Sequence, residues 1–172
     1  MSVSLSRLSC PSCEALLSAG PGDTLFFCKC GRGCFFGERG LEAIDAAAYP
    51  VPENRVAAWE PAWELIADVR VSARRNTSGS SATPAAVRRR FLVPARPVEL
   101  NSLLAKIRSW SEMPAAQAAL PEAPIHGGDL SSDEAASLAR YAVFAEQVAL
   151  PDSLTELAVE LTVVSVRLIA IP

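Results

Sequence analysis

The sequence Cys10-Pro-Ser-Cys13, followed after fourteen residues by Cys28-Lys-Cys30-Gly-Arg-Gly-Cys34, contains all five cysteines of this 172-residue chain. A tetrahedral metal site needs four soft ligands, and each close cysteine pair supplies two thiolates from one tight turn. The spacer has the length of a hairpin, which would bring the two turns together. The spacing therefore predicts a metal site formed by Cys10, Cys13, Cys28 and Cys30.

This cysteine pattern resembles the zinc ribbon family over about residues 8–38. The resemblance implies a structural Zn²⁺ held by four thiolates. The second pair departs from the family, because Cys28 and Cys30 are separated by one residue where the family usually has two. Cys34 is therefore an alternative ligand in place of Cys28 or Cys30, and otherwise a small buried residue beside Phe35. Iron is the alternative metal, and a site without metal is the alternative to both.

The composition and the first ten residues favour a cytoplasmic protein with its own core. Half of the residues are hydrophobic and the mean hydropathy is +0.22. The apolar runs are interrupted before the ~18 residues that a membrane span requires. The first ten residues lack the apolar stretch of a secretory signal. In the cytoplasm, clustered cysteines are more often metal ligands than disulfides. The abundance of alanine and arginine suggests a bacterial source.

Positive charge is concentrated in the middle of a chain whose net charge is −3. Residues 70–110 contain nine basic side chains and the single acid Glu99. Arginines on two predicted strands form a candidate surface for an anionic partner, namely Arg74, Arg75, Arg88 and Arg90. The alternative is a solvated face on which arginines pair with Glu64 and Asp68. Because a nucleic-acid-binding protein is usually basic throughout, the sequence pI of about 5.2 makes nucleic acid the less favoured partner.

Hydrophobic periodicity predicts an α+β fold. Apolar residues alternate from Trp63 onward, and residues 87–93 resume as a second strand that Pro94 limits to an edge or an end, which indicates an antiparallel hairpin. Helical spacing begins at Leu100, and Ser131-Ser-Asp-Glu134 forms a capping box for a second helix. Residues 41–48 favour a short helix or a strand end. Residues 154–171 read as two strands or one long bent strand.

The predicted architecture is a zinc ribbon followed by an antiparallel sheet with two helices, in the order β-β-α-α-β-β. The predicted divisions are a zinc ribbon (1–38), a linker or draped segment (39–59) and an α+β domain (60–172). Three segments are similar to parts of uncharacterised bacterial proteins that join an N-terminal zinc ribbon to a β-rich domain: Trp59-Glu-Pro-Ala-Trp63, Arg90-Phe-Leu-Val-Pro-Ala95 and Val166-Arg-Leu-Ile-Ala-Ile-Pro172. This resemblance implies an architecture and no activity.

Catalytic motifs are absent from the sequence outside the cysteine region. His126, the single histidine, lies near Asp129, which suggests acid–base chemistry, but an ordinary loop histidine is the simpler interpretation. There is no nucleophile elbow and no phosphate-binding glycine loop. The sequence therefore predicts a non-enzymatic zinc-binding interaction protein, an adaptor or accessory subunit of a larger bacterial assembly with a protein partner. Nucleic-acid binding through the zinc ribbon and the arginine-rich hairpin is the alternative function.

Overall fold

The computed structural model describes residues 8–51, 58–77, 79, 85–116, 119–121 and 124–172. Within these ranges the chain forms β1 (Leu25–Phe27), β2 (Arg32–Gly37), β3 (Gly40–Ala48), β4 (Glu60–Asn76), β5 (Val87–Pro94), α1 (Leu100–Ser111), α2 (Ser132–Val148) and β6 (Leu154–Ile171). These elements confirm the predicted α+β class. In the part of the chain that the structure describes, neither helix is long and apolar enough to cross a membrane.

The strands form one sheet with the order β1-β2-β3-β6-β4-β5. The prediction of an antiparallel sheet is wrong at one position, because β3 and β6 run parallel, with Ala46 opposite Leu168 and Ala48 opposite Ala170. The other neighbouring strands are antiparallel. The sheet is therefore mixed.

Of the two interpretations of residues 154–171, the single long strand is confirmed, because these residues form β6. The predicted order is therefore wrong where it ends in two strands. This segment contains no Gly, Pro, Asn or Asp, so it has no residue that would favour a turn. Instead, β6 pairs with β4 from Glu60↔Ile171 to Asn76↔Leu154, and bulges absorb the irregularities. The element order after β3 is β-β-α-α-β.

The strand β3 lies inside the segment predicted to be a linker, and its residues form a strand and not a helix. A tight turn at Gly40, whose φ of 104° suits glycine, folds β3 back onto β2. The far end of β3 pairs with β6, so the cysteine-bearing hairpin and the long strands share one sheet. The predicted domain boundaries stay a prediction.

Both helices pack on one face of the sheet and cover the main core. The alternation predicted for β4 is confirmed there: Trp63, Leu65, Ala67 and Val69 are all buried in this core. The capping box is also confirmed, since the Glu134 N–H donates to the Ser131 hydroxyl at 3.2 Å and the Glu134 carboxylate accepts from the Ser131 N–H at 2.8 Å. A smaller core on the opposite face contains Ala62, Leu92, Ala116, Ile169 and Ile171.

Candidate metal centre

The first cysteine pair lies on a turn closed by two backbone hydrogen bonds, one donated and one accepted by Cys10. The Cys10 N–H donates to the Ala15 carbonyl at 2.9 Å, and the Glu14 N–H donates to the Cys10 carbonyl at 2.9 Å. Glu14 has a φ of 62°, a left-handed conformation that non-glycine residues seldom adopt. The turn places Cys10 and Cys13 on the same side of the hairpin, where both sulfurs approach those of the second pair.

The second cysteine pair lies on a shorter turn of the same kind. The Cys28 N–H donates to the Arg32 carbonyl at 2.8 Å, and the Gly31 N–H donates to the Cys28 carbonyl at 2.9 Å. This loop is one residue shorter, matching the single residue between Cys28 and Cys30. The departure from the usual spacing is therefore accommodated by the backbone, because a tighter turn with Gly31 in the left-handed region still presents both sulfurs.

Replacing Gly31 by alanine is expected to destabilise the protein by about 1 kcal/mol through backbone strain alone. Gly31 has a φ of 87°, and an added Cβ would meet no atom within 4 Å, so crowding does not contribute. Urea denaturation of the metal-loaded protein measures the change. Gly31→Asn should lower the free energy of unfolding by less than Gly31→Ala, since asparagine tolerates the left-handed conformation better. Equal losses for alanine and asparagine would contradict the strain explanation.

The four predicted sulfur atoms form a compact group, all within 4.8 Å of one another. The Sγ atoms of Cys10 and Cys30 are 3.8 Å apart, and those of Cys13 and Cys28 are 3.4 Å apart. A tetrahedral site with metal–sulfur bonds near 2.3 Å has sulfur–sulfur edges of about 3.8 Å. The four cysteines could therefore hold a metal ion. Both short contacts join one turn to the other, so an ion bound there would cross-link the two turns.

Two of the four cysteines are buried, one from each turn, and the other two are exposed. Cys10 and Cys28 are 1% and 3% exposed and pack against Phe26, whereas Cys13 and Cys30 face solvent. Burial raises the pKa of Cys28. Burial also opposes ionisation of Cys10, but hydrogen bonds from the Ser12 and Cys13 backbone N–H groups and from the Cys28 and Cys34 thiols together lower its pKa to about 6. A metal must displace the remaining thiol protons, because thiolates are its ligands.

Cys34 lies behind the group of four on strand β2. It is fully buried, and its Sγ donates to the Cys10 Sγ at 3.8 Å. Burial raises the pKa of Cys34 to about 12, with the neighbouring thiols adding to the effect. A protonated, apolar Cys34 packed beside Phe26 fits the small-residue interpretation. Its role as an alternative ligand stays a prediction.

Two cations flank the cysteine turns, as their sequence positions suggest. Arg32 pairs with Asp45 of β3, so part of its charge is already compensated. Lys29 is exposed between Cys28 and Cys30 and has no ion pair among the described residues. A divalent ion with four thiolates has a net charge of −2, and Lys29 is placed to offset it.

The four predicted anion-binding arginines each lie beside a carboxylate of the chain. The pairs are Arg74 with Asp152 at 2.6 Å, Arg75 with Glu156 at 3.3 Å, Arg88 with Asp68 at 2.9 Å and Arg90 with Glu64 at 3.4 Å. This arrangement matches the alternative of arginines paired with acids, which the sequence offered for Asp68 and Glu64. An anionic partner would have to compete with these carboxylates, and binding of such a partner stays a prediction.

Replacing Asp152 by asparagine is expected to lower stability at pH 7 and to have little effect near pH 2. Arg74 donates two hydrogen bonds to the Asp152 carboxylate, at 2.6 and 2.7 Å, and these bonds lower its pKa. A carboxylate with a lowered folded-state pKa adds stability above its unfolded pKa of about 3.9, and that stability is lost as pH falls through the folded value. Thermal melts of both proteins from pH 7 to pH 2 test this. A stability difference that does not shrink on acidification would contradict it.

His126 and Asp129 do not form the acid–base pair considered from sequence. Both residues are exposed, and no side-chain hydrogen bond joins them within the described residues. Their backbones instead fix the loop, because the His126 N–H donates to the Trp59 carbonyl at 3.2 Å and the Asp129 N–H donates to the Ala95 carbonyl at 2.9 Å. The observed contacts of His126 are therefore structural.

Comparison with protein-family models, curated proteins and solved structures gives no match for this chain. The resemblance to the zinc ribbon therefore rests on the cysteine spacing and fits the four-cysteine group only loosely. The fold and the site define an α+β protein with a mixed sheet and a group of four cysteines able to hold a metal ion.

Proposed function

We propose that the protein is a non-enzymatic zinc-binding interaction protein, an adaptor or accessory subunit of a larger bacterial assembly. The observation that carries this proposal is the closed group of four sulfurs, all within 4.8 Å of one another. Four thiolates complete a tetrahedron, whereas catalytic zinc keeps one position for water or substrate. The ion supplies a cross-link between the two turns and no reactive group.

The surroundings of the cysteine group support a structural role. A cleft of about 640 Å³ borders Cys28 and Lys29. Its other described lining residues are Ser18, Phe27, Leu120, Pro121, Pro124 and Ile125. The described lining includes no carboxylate and no histidine, the side chains that most often serve as general acid or base for a metal-bound water. Zinc is favoured over iron because a structural cross-link requires no redox change.

Exposed apolar side chains support a protein partner. Tyr141, Phe144 and Val148 of α2 are 41%, 41% and 51% exposed, and Leu150 just beyond the helix is 45% exposed. Positions 141, 144 and 148 follow helical spacing, so they line one stripe of α2 that faces away from the core. A contiguous exposed apolar surface is typical of interaction sites.

Native mass spectrometry, combined with X-ray absorption at the metal edge, tests this proposal. The full chain is analysed after purification alone and after affinity capture from the lysate of its own host. We expect one zinc with four sulfur ligands, and a partner at defined stoichiometry that Phe144→Ser no longer retains. A zinc ion with three sulfur ligands and one oxygen ligand would instead favour the hypothesis of an enzyme. Binding of DNA or RNA that weakens with salt would favour the alternative function.

A further inference from the structure

Strand β6 has a long edge without a strand partner. One edge pairs with β4 along nearly its whole length, but the other pairs with β3 only over residues 168–170. Across residues 154–167, the described part of the chain supplies no strand on that side. The outward N–H and C=O groups of an edge strand form a template for another strand.

This edge differs from the other long edge of the sheet in the residues that it carries. Strand β5 carries three consecutive arginines, ends in Pro94 and packs against α1, whose Ser111 hydroxyl accepts a hydrogen bond from the Leu92 N–H at 3.0 Å. Residues 154–167 contain no lysine and no proline, and their charged side chains are Glu156, Glu160 and Arg167. Val163 and Val164 of this segment are 40% and 49% exposed. Lysine and proline are common means of blocking a free edge, so a long edge that has neither points to a surface that is covered.

The distribution of charge along β6 identifies a second copy of the chain as a suitable occupant. In an antiparallel pair of identical strands centred on Val159, Glu160 faces Ala158 of the second copy, and Glu156 faces Thr162. On the other face, Leu157 lies opposite Leu161 and Val159 lies opposite itself. Centring the pair on Ala158 would instead place Glu156 opposite Glu160, and like charges directly opposite are destabilising.

We propose that the chain forms a two-fold dimer in which residues 155–163 of β6 pair antiparallel with the same residues of a second copy, centred on Val159. The paired segment is bounded by two irregularities of β6, near Thr155 and near Val164, where the register with β4 shifts. A symmetric interface uses the same surface of both chains, so two chains complete the apolar ladder of Val159, Leu157 and Leu161. The assembly therefore closes as a dimer and does not extend into a filament. This dimer would join the two sheets into one continuous sheet. The proposal does not depend on the metal site.

Sedimentation equilibrium of the full zinc-loaded chain tests this proposal. We expect a species of twice the 18.2 kDa chain mass. Val163→Lys should weaken dimerisation at least about tenfold, because the charge enters the edge twice. The matched control is Val87→Lys, a 58% exposed valine on the opposite sheet edge, which should leave dimerisation unchanged. Circular dichroism and zinc content should remain normal in both variants.

A second measurement keeps the test decisive if Val163→Lys fails to fold. Amide hydrogen exchange of the unmodified chain, at concentrations above and below the dimer midpoint, should show protection of residues 155–163 only at the higher concentration. A monomer at all concentrations would overturn the proposal, as would equal losses in the Val163 and Val87 variants. A dimer whose β6 amides exchange equally at both concentrations would place the interface elsewhere and also overturn it.

Discussion

Replacing Cys28 by serine is expected to abolish tight zinc binding and to destabilise the protein by several kcal/mol. Cys28 is 3% exposed and lies in the cluster formed by Phe26, Cys10 and Cys34. Water therefore has little access to this position and cannot take the place of the lost sulfur. A serine hydroxyl does not ionise near neutral pH and cannot supply the fourth thiolate. Without the ion, the two turns lose their cross-link, and β1 and β2 should lose order first.

The matched control for this prediction is Cys34→Ala, which removes a buried sulfur outside the group of four. It should retain one zinc per chain and lose stability only through the small cavity it creates, on the order of 1 kcal/mol. Zinc stoichiometry by native mass spectrometry and chemical denaturation of both variants make the comparison. Loss of zinc from Cys34→Ala with retention in Cys28→Ser would instead identify Cys34 as the ligand and overturn the assignment of Cys28.

Local sequence patterns predicted much of this fold, because neighbouring residues are sufficient to determine them. The capping box from Ser131 to Glu134 specifies where α2 begins through hydrogen bonds only three residues apart. The alternation that begins at Trp63 specifies which face of β4 is buried. The close spacing of the cysteines likewise predicted the group of four sulfurs, since each pair needs only one turn of backbone.

Features that depend on distant segments could not be predicted in the same way. The parallel pairing of β3 with β6 joins residues 46–48 to residues 168–170, and nothing within residues 41–48 specifies a partner so far along the chain. The burial of Glu64 could not be predicted either, because it too depends on a segment distant in sequence. Its alternation with Trp63 and Leu65 predicts a solvent-facing side chain, but the segment after α1 covers this end of the face, and Glu64 is 5% exposed.

The covered face depends on an ion-pair network centred on Glu64. Its carboxylate accepts hydrogen bonds from Arg90, at 3.4 Å, and from Arg167. The same two guanidinium groups also hold the segment after α1: Arg90 donates to the carbonyls of Ser111 and Met113, and Arg167 donates to the Ala116 carbonyl at 2.9 Å. Because Glu64 supplies the negative charge between two partly buried cations, the network depends on it more than on either arginine.

Replacing Glu64 by glutamine is therefore expected to destabilise the protein by about 3 kcal/mol. The amide has nearly the same shape, so the loss comes from leaving the charges of Arg90 and Arg167 partly buried without a counter-charge. Chemical denaturation measures the loss, and hydrogen exchange should show reduced protection around Ser111 to Ala116. The matched control is Asp68→Asn four residues along β4, whose pair with Arg88 is exposed to solvent and should contribute little. Equal, small effects of both substitutions would show that Glu64 does not hold this segment onto the sheet.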